Sequence, residues 1–202
     1  MYQVVENPLI LSETWQWDKD TDEFIDCGSD PPIRHPASSY SAKVKVYEAR
    51  VREWFLSIAQ DYVGKGETSS DYLVLSIALA YIEGVEQYRR GMSTPQGKAG
   101  KWFKNSAKRI FCTSSQDALD RLWKECRCGL FHCGFTDGRT YLSHGYAQAI
   151  SINGLELQIN PLLFVEAVCN DFTTYVNSLQ HRKVCELSKN FEKLWDYRWE
   201  SS

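Results

Sequence analysis

Two residues in the middle of the chain have the types and spacing to act on a phosphodiester. The stretch Leu122-Trp-Lys-Glu-Cys-Arg-Cys-Gly-Leu-Phe-His-Cys-Gly134 sets Arg127 and His132 five positions apart, just before a glycine. An arginine stays charged at any physiological pH, and its planar fork grips two phosphate oxygens. A histidine titrates near neutrality and moves protons. Together they suit a phosphodiester chemistry that needs neither a metal nor a cofactor.

On an ideal helix five residues advance by about 500°, which leaves the two side chains ~140° apart. They converge only if the helix loosens at its end, as Gly129 and Gly134 permit, or if two copies meet across a two-fold axis. The bland alternative makes Arg127 a helix-end cation paired with Glu83 or Glu125, and His132 a C-terminal cap.

The charge distribution favours a polyanionic ligand. The overall formal charge is −3, but residues 89–139 carry eleven bases and four acids, a net of +7. Lys98, Lys101, Lys104, Lys108 and Arg109 lie on one short stretch there and are candidates for holding a nucleic-acid backbone. A solvated helix face is the competing reading. Residues 1–30 carry eight acids and one base, a net of −7, which allows this segment to lie over the basic face.

The elements that must position these groups are mainly helical. Residues 1–37 read as an irregular acidic arm ending in Asp30-Pro-Pro-Ile-Arg-His-Pro36, whose prolines bar a helix. Residues 38–202 read as one helical domain. A first helix spans about 39–63, with Tyr40, Val44, Tyr47, Val51, Trp54, Phe55, Ile58 and Tyr62 at helical spacing. A second, about 70–90, is apolar nearly all round and should be buried, with Glu83 inside it needing a partner. A basic helix near 98–111 precedes a fourth near 115–132, capped by Ser114 or Ser115. Alternation around Asn153-Gly154 signals a type I′ hairpin. Asn160-Pro161 opens a long helix to about 199 that breaks near 180.

In this setting Arg127-Cys-Gly-Leu-Phe-His132 resembles the R-x4–6-H motif of the HEPN superfamily, and Tyr81-Ile-Glu-Gly-Val-Glu86 resembles a second-helix segment of bacterial HEPN proteins. The order of elements is similar over about 40–180. The resemblance implies a HEPN-like helical bundle with a small β-hairpin between the fourth helix and the long C-terminal helix. It also implies a homodimer with facing motifs. Many such proteins are metal-independent ribonucleases of toxin–antitoxin and defence systems, with an antitoxin or other protein partner. Others are non-catalytic dimerisation or nucleotide-binding modules. Carried over, Arg127 binds the scissile phosphate of RNA and His132 is the acid or base. Apart from the resemblance, Glu83 reads as a polar core partner of Arg127 that would orient the guanidinium. Cys128 stands where active members often have a polar residue.

Cys126, Cys128, His132 and Cys133 offer a rival, a zinc-stabilised structural protein, although a second half of the usual knuckle is missing. Seven cysteines with no regular framework, no leader-like start and no apolar run of membrane-spanning length lead to the expectation of a reduced, cytoplasmic protein away from membranes.

Overall fold

The structure is a computed structural model, and it describes residues 8–66, 68–113, 115–136, 138–181 and 185–200. It is mainly helical, with a four-stranded antiparallel sheet at its N-terminal end and a three-stranded sheet ahead of two C-terminal helices. No helix among the described residues is long and apolar enough to cross a membrane.

The expected irregular arm is a β-meander instead. Strands β1 (Leu9–Ile10), β2 (Trp15–Asp18), β3 (Glu23–Asp26) and β4 (Ile33–Pro36) pair in sequence order. The turn between β2 and β3 is built by acids: Asp18 Oδ1 accepts from the backbone N–H groups of Asp20 and Thr21 at 3.1 and 3.4 Å, and Asp22 takes a left-handed φ of 52°. The prolines do exclude a helix, but they sit at the sheet edge, where a missing N–H is harmless. Residues 1–7 of the expected arm lie outside the described residues.

The sheet docks on the C-terminal helix α8 (Cys185–Glu200), where Trp17 meets Trp199 edge-on at 4.6 Å and the fully buried Phe24 meets Trp195 at 6.2 Å. Its acids are partly answered at home. Arg34 pairs with Asp18 at 2.9 Å and Glu23 at 2.8 Å and holds both carboxyls below their ordinary range.

Helices α1 (Tyr40–Val51) and α2 (Ser57–Gly64) run on through a π-helical turn at Arg52–Leu56. That turn overturns the expected apolar stripe. A π turn holds an extra residue, so the face that follows is rotated. The buried positions run Val44, Tyr47, then Leu56, Ala59 and Val63, while Trp54, Phe55, Ile58 and Tyr62 are exposed.

Helix α3 (Asp71–Arg90) is the central strut and packs against α2, α4 (Ala99–Phe111), α7 (Pro161–Gln180) and α8. It is not buried all round: Leu73 is 49% exposed, and Ala80 is exposed on the same face. The fourth helical run comprises α5 (Gln116–Arg121), a second π turn (Leu122–Cys128) and α6 (Gly129–Cys133). Ser115 caps it, accepting from the Ala118 N–H; Ser114 lies outside the described residues.

The hairpin is present as β6 (Ile150–Asn153) and β7 (Glu156–Ile159), joined in parallel by an unanticipated β5 (Thr140–Leu142). Its two turn residues are Gly154 and Leu155, and only Gly154 has a positive φ, 57°. That is the glycine-first pattern of a type II′ turn, not the expected I′. Asn160 caps α7 (Pro161–Gln180), and the chain breaks before α8 as expected.

Candidate nucleic-acid interface

Arg127 sits in the second π turn and reaches across to α3. Its Nε donates to Glu83 Oε2 at 2.9 Å, and Nη2 lies 2.7 Å from the same oxygen. The guanidinium also lies 5.2 Å from the Trp123 ring and 5.0 Å from the Phe131 ring. A cation over aromatic faces gains from their quadrupoles, and more so when part-desolvated. The arginine is therefore fixed on three sides. Its remaining Nη1 carries further donors, because the guanidinium has five N–H groups in all. Glu125 serves a different cation: it accepts from Arg121 and from the Thr140 hydroxyl.

His132 lies on α6, which Gly134 ends with a φ of 79°. Its side chain is exposed, and among the described residues it makes no hydrogen bond. Phe131 and Phe135, 48% and 62% exposed, flank it. Among the described residues no hydrogen bond joins the arginine and the histidine within one chain. Arg127 faces Glu83 of α3, and His132 is exposed.

The cysteines are dispersed. Cys126 is fully buried, and burial pushes its thiol up to about 12. Cys128 is half-buried and Cys133 exposed. Among the described residues, no three His, Cys, Asp or Glu side chains are grouped to hold a metal ion.

The basic helix α4 builds a cleft of about 700 Å³ with α5 and the π turn. Lys101, Lys104 and Lys108, at helical spacing, line one wall, and Trp123 and Leu119 line the other. Lys104 is bridged to Asp120 at 2.5 Å, which holds that carboxyl below its usual range. Lys98 is exposed at the N-terminal end of α4. Gly100 lets the wall close up, because a Cβ there would stand 3.0 Å from the Trp123 indole. One Trp123 ring thus borders the lysine cleft and also contacts Arg127.

Arg109 does not join this cleft. One residue past Lys108 the helix has turned by about 100°, and Arg109 pairs with the half-buried Asp171 of α7 and donates to Ser106 Oγ at 3.0 Å. Tyr81 donates to the same Asp171 at 2.8 Å, and Arg89 stands 3.6 Å away. Burial lowers the basicity of Arg109. It is part of an internal ionic network.

His144, expected from the sequence to be a surface histidine able to line the same cleft, has its Nε2 3.0 Å from Oδ1 of the buried Asp71 at the start of α3. The partners are 73 residues apart, and no local pattern announces such a pair.

No family model, curated protein or solved structure matches the chain.

Proposed function

We propose that this chain is an RNA-binding HEPN-like protein and a metal-independent endoribonuclease, acting as a homodimer. The observation that carries the reading is the position of Trp123. Its ring borders a cleft with three lysines and also stacks on Arg127. Lysines that track a backbone beside an aromatic face for bases make up the common equipment for a single strand.

In this reading Arg127 binds the scissile phosphate through the donors that Glu83 leaves free. His132, exposed and without a partner among the described residues, takes the proton from the ribose 2′-hydroxyl or returns one to the leaving 5′-oxygen. The 2′-hydroxyl attacks phosphorus, the bond to the 5′-oxygen breaks, and a 2′,3′-cyclic phosphate remains. Arg127 of one copy works with His132 of the other, since no hydrogen bond joins them within one chain among the described residues.

The test is a single-stranded RNA incubated with the full chain in excess chelator, with the ends of the products identified. Cyclic-phosphate ends, lost in Arg127→Ala and in His132→Ala, support the reading. Cutting that stops with chelator and returns with zinc would move the chemistry to the cysteines. A second reading has its own observation. Arg127 already holds a carboxylate, as a purely structural arginine would. RNA bound through the lysines and never cut, at any pH from 5 to 9, would make this a non-catalytic binding module.

A further inference from the structure

A second groove lies away from the lysine cleft, between α1, α3, α8 and the N-terminal sheet. It has two lobes of about 530 and 460 Å³, which share Arg50, Trp54, Tyr88, Trp195 and Arg198. The first lobe reaches the α3 face at Ala80 and Gly84. A Cβ at Gly84 would meet nothing within 4 Å, so the small residue leaves open space. Leu9, Ile10 and Trp199 wall the second lobe.

The polar groups of this groove are mostly donors. Trp195 is only 4% exposed, and its indole N–H has no hydrogen-bond acceptor among the described residues. Leaving such a donor unpaired is unfavourable, and native structures rarely do so without a reason. Arg50 stacks on Trp54, 5.6 Å from the ring centre, and has no carboxylate within ion-pair distance among the described residues. Arg198 lies over Tyr88 at 5.1 Å and already donates to Gln87 Oε1. Aromatic walls, an orphan donor and Arg50 above the Trp54 ring ask for an apolar body that carries a negative acceptor. A pocket of this volume accommodates a small organic molecule.

We propose that this groove binds a small amphipathic anion, a flat apolar body bearing a carboxylate, with the carboxylate on Arg50 and the Trp195 N–H and the body between Trp54 and the Ala80–Gly84 face. The proposal does not depend on the reading of the lysine cleft.

The probes are 2-naphthoate and the uncharged 2-naphthalenemethanol, titrated into the full chain by calorimetry. Naphthoate should bind about tenfold more tightly, the ratio that about 1.4 kcal/mol of extra interaction produces. Arg50→Gln should erase that preference while leaving the thermal midpoint in place. Trp195→Phe keeps a ring and removes the donor, and should weaken naphthoate several-fold. Gly84→Leu should exclude both probes and leave the sedimenting mass unchanged. Equal affinity for the two probes, an unaltered preference in Arg50→Gln, or no binding at millimolar probe overturns the proposal. So does a Gly84→Leu variant whose mass falls, since the groove would then be an interface with a second copy.

Discussion

Arg127 and Glu83, 44 residues apart, are held together by two short contacts onto a single carboxylate oxygen. Both side chains are about four-fifths covered, at 19% and 22% exposure. The pair ties the π turn to the central helix, and it decides how much of the guanidinium a phosphate can use.

This separates the roles of the two motif residues in a stability measurement. Arg127→Ala should cost about 1–2 kcal/mol, through an unpartnered Glu83 and the loss of stacking on Trp123 and Phe131. His132→Ala removes an exposed ring and should stay within about 0.5 kcal/mol of the parent. Urea unfolding followed by tryptophan fluorescence reads both. Glu83→Gln keeps a hydrogen-bonding partner without the charge. It should leave RNA affinity equal or higher, since a competitor of the phosphate is gone, while cleavage falls by about tenfold as the guanidinium loses its anchor. A Glu83→Gln variant that cuts as fast as the parent would show that the anchor is irrelevant to chemistry.

The five basic candidates should divide by where they face. Each phosphate contact on a single strand contributes about 0.7 to the slope of log K against log salt. Replacing Lys101, Lys104 and Lys108 together should therefore flatten the slope by about 2. Asp120→Ala frees Lys104 and should raise affinity at low salt. Arg109→Ala should leave the slope alone and cost about 2 kcal/mol of stability, because the half-buried Asp171 loses its nearest cation and keeps only Tyr81 and Arg89. Fluorescence anisotropy over a salt series, beside urea unfolding, gives both answers.

The split between Lys108 and Arg109 shows where sequence reading stops. Helix order, the Ser115 and Asn160 caps and the break before α8 follow from local patterns of three or four residues, and these were legible. The Arg127–Glu83 pair was legible as one of two options, because a carboxylate on an apolar helix needs a partner. The π turn at Arg52–Leu56 was not. It inserts one residue between Tyr47 and Leu56, and every apolar position after it changes face. The N-terminal sheet was hidden by its short strands, although Trp15 to Asp26 holds two alternating runs around an acid-rich turn. Asp71 with His144 depends on tertiary placement alone.

Alkaline pH should weaken the fold through its buried thiols. Burial pushes Cys126 up to about 12 and Cys169 up to about 11, from an ordinary 9.0. Above pH 9 an unfolded chain ionises these thiols and the folded chain does not, so protons leave on unfolding and stability falls as pH rises. The loss starts near pH 9 and runs to the folded values. Unfolding midpoints between pH 8 and 11 should decline, and less steeply in Cys126→Ala. At pH 8 a disulfide reagent should label the exposed Cys112 and Cys133 quickly, and Cys126 only after denaturation. Rapid labelling of Cys126 in the folded protein would contradict its burial.

No hydrogen bond joins Arg127 to His132 within one chain among the described residues, so the proposed cleavage turns on the quaternary state. Exposed Phe131 and Phe135 frame the histidine, and two large rings left in water suit burial against the same surface of a second copy. Sedimentation at micromolar concentration should give about twice the chain mass of 23.3 kDa. Phe135 is the better probe of the two, because Phe131 also supports Arg127. Phe135→Asp should halve the mass and abolish cleavage, with the lysine-dependent RNA binding retained. Mixing Arg127→Ala with His132→Ala should restore part of the cutting, because one of the two composite sites in a mixed dimer is intact. A parent chain that sediments as a monomer and still cuts RNA would place both groups in one subunit and sink the composite site.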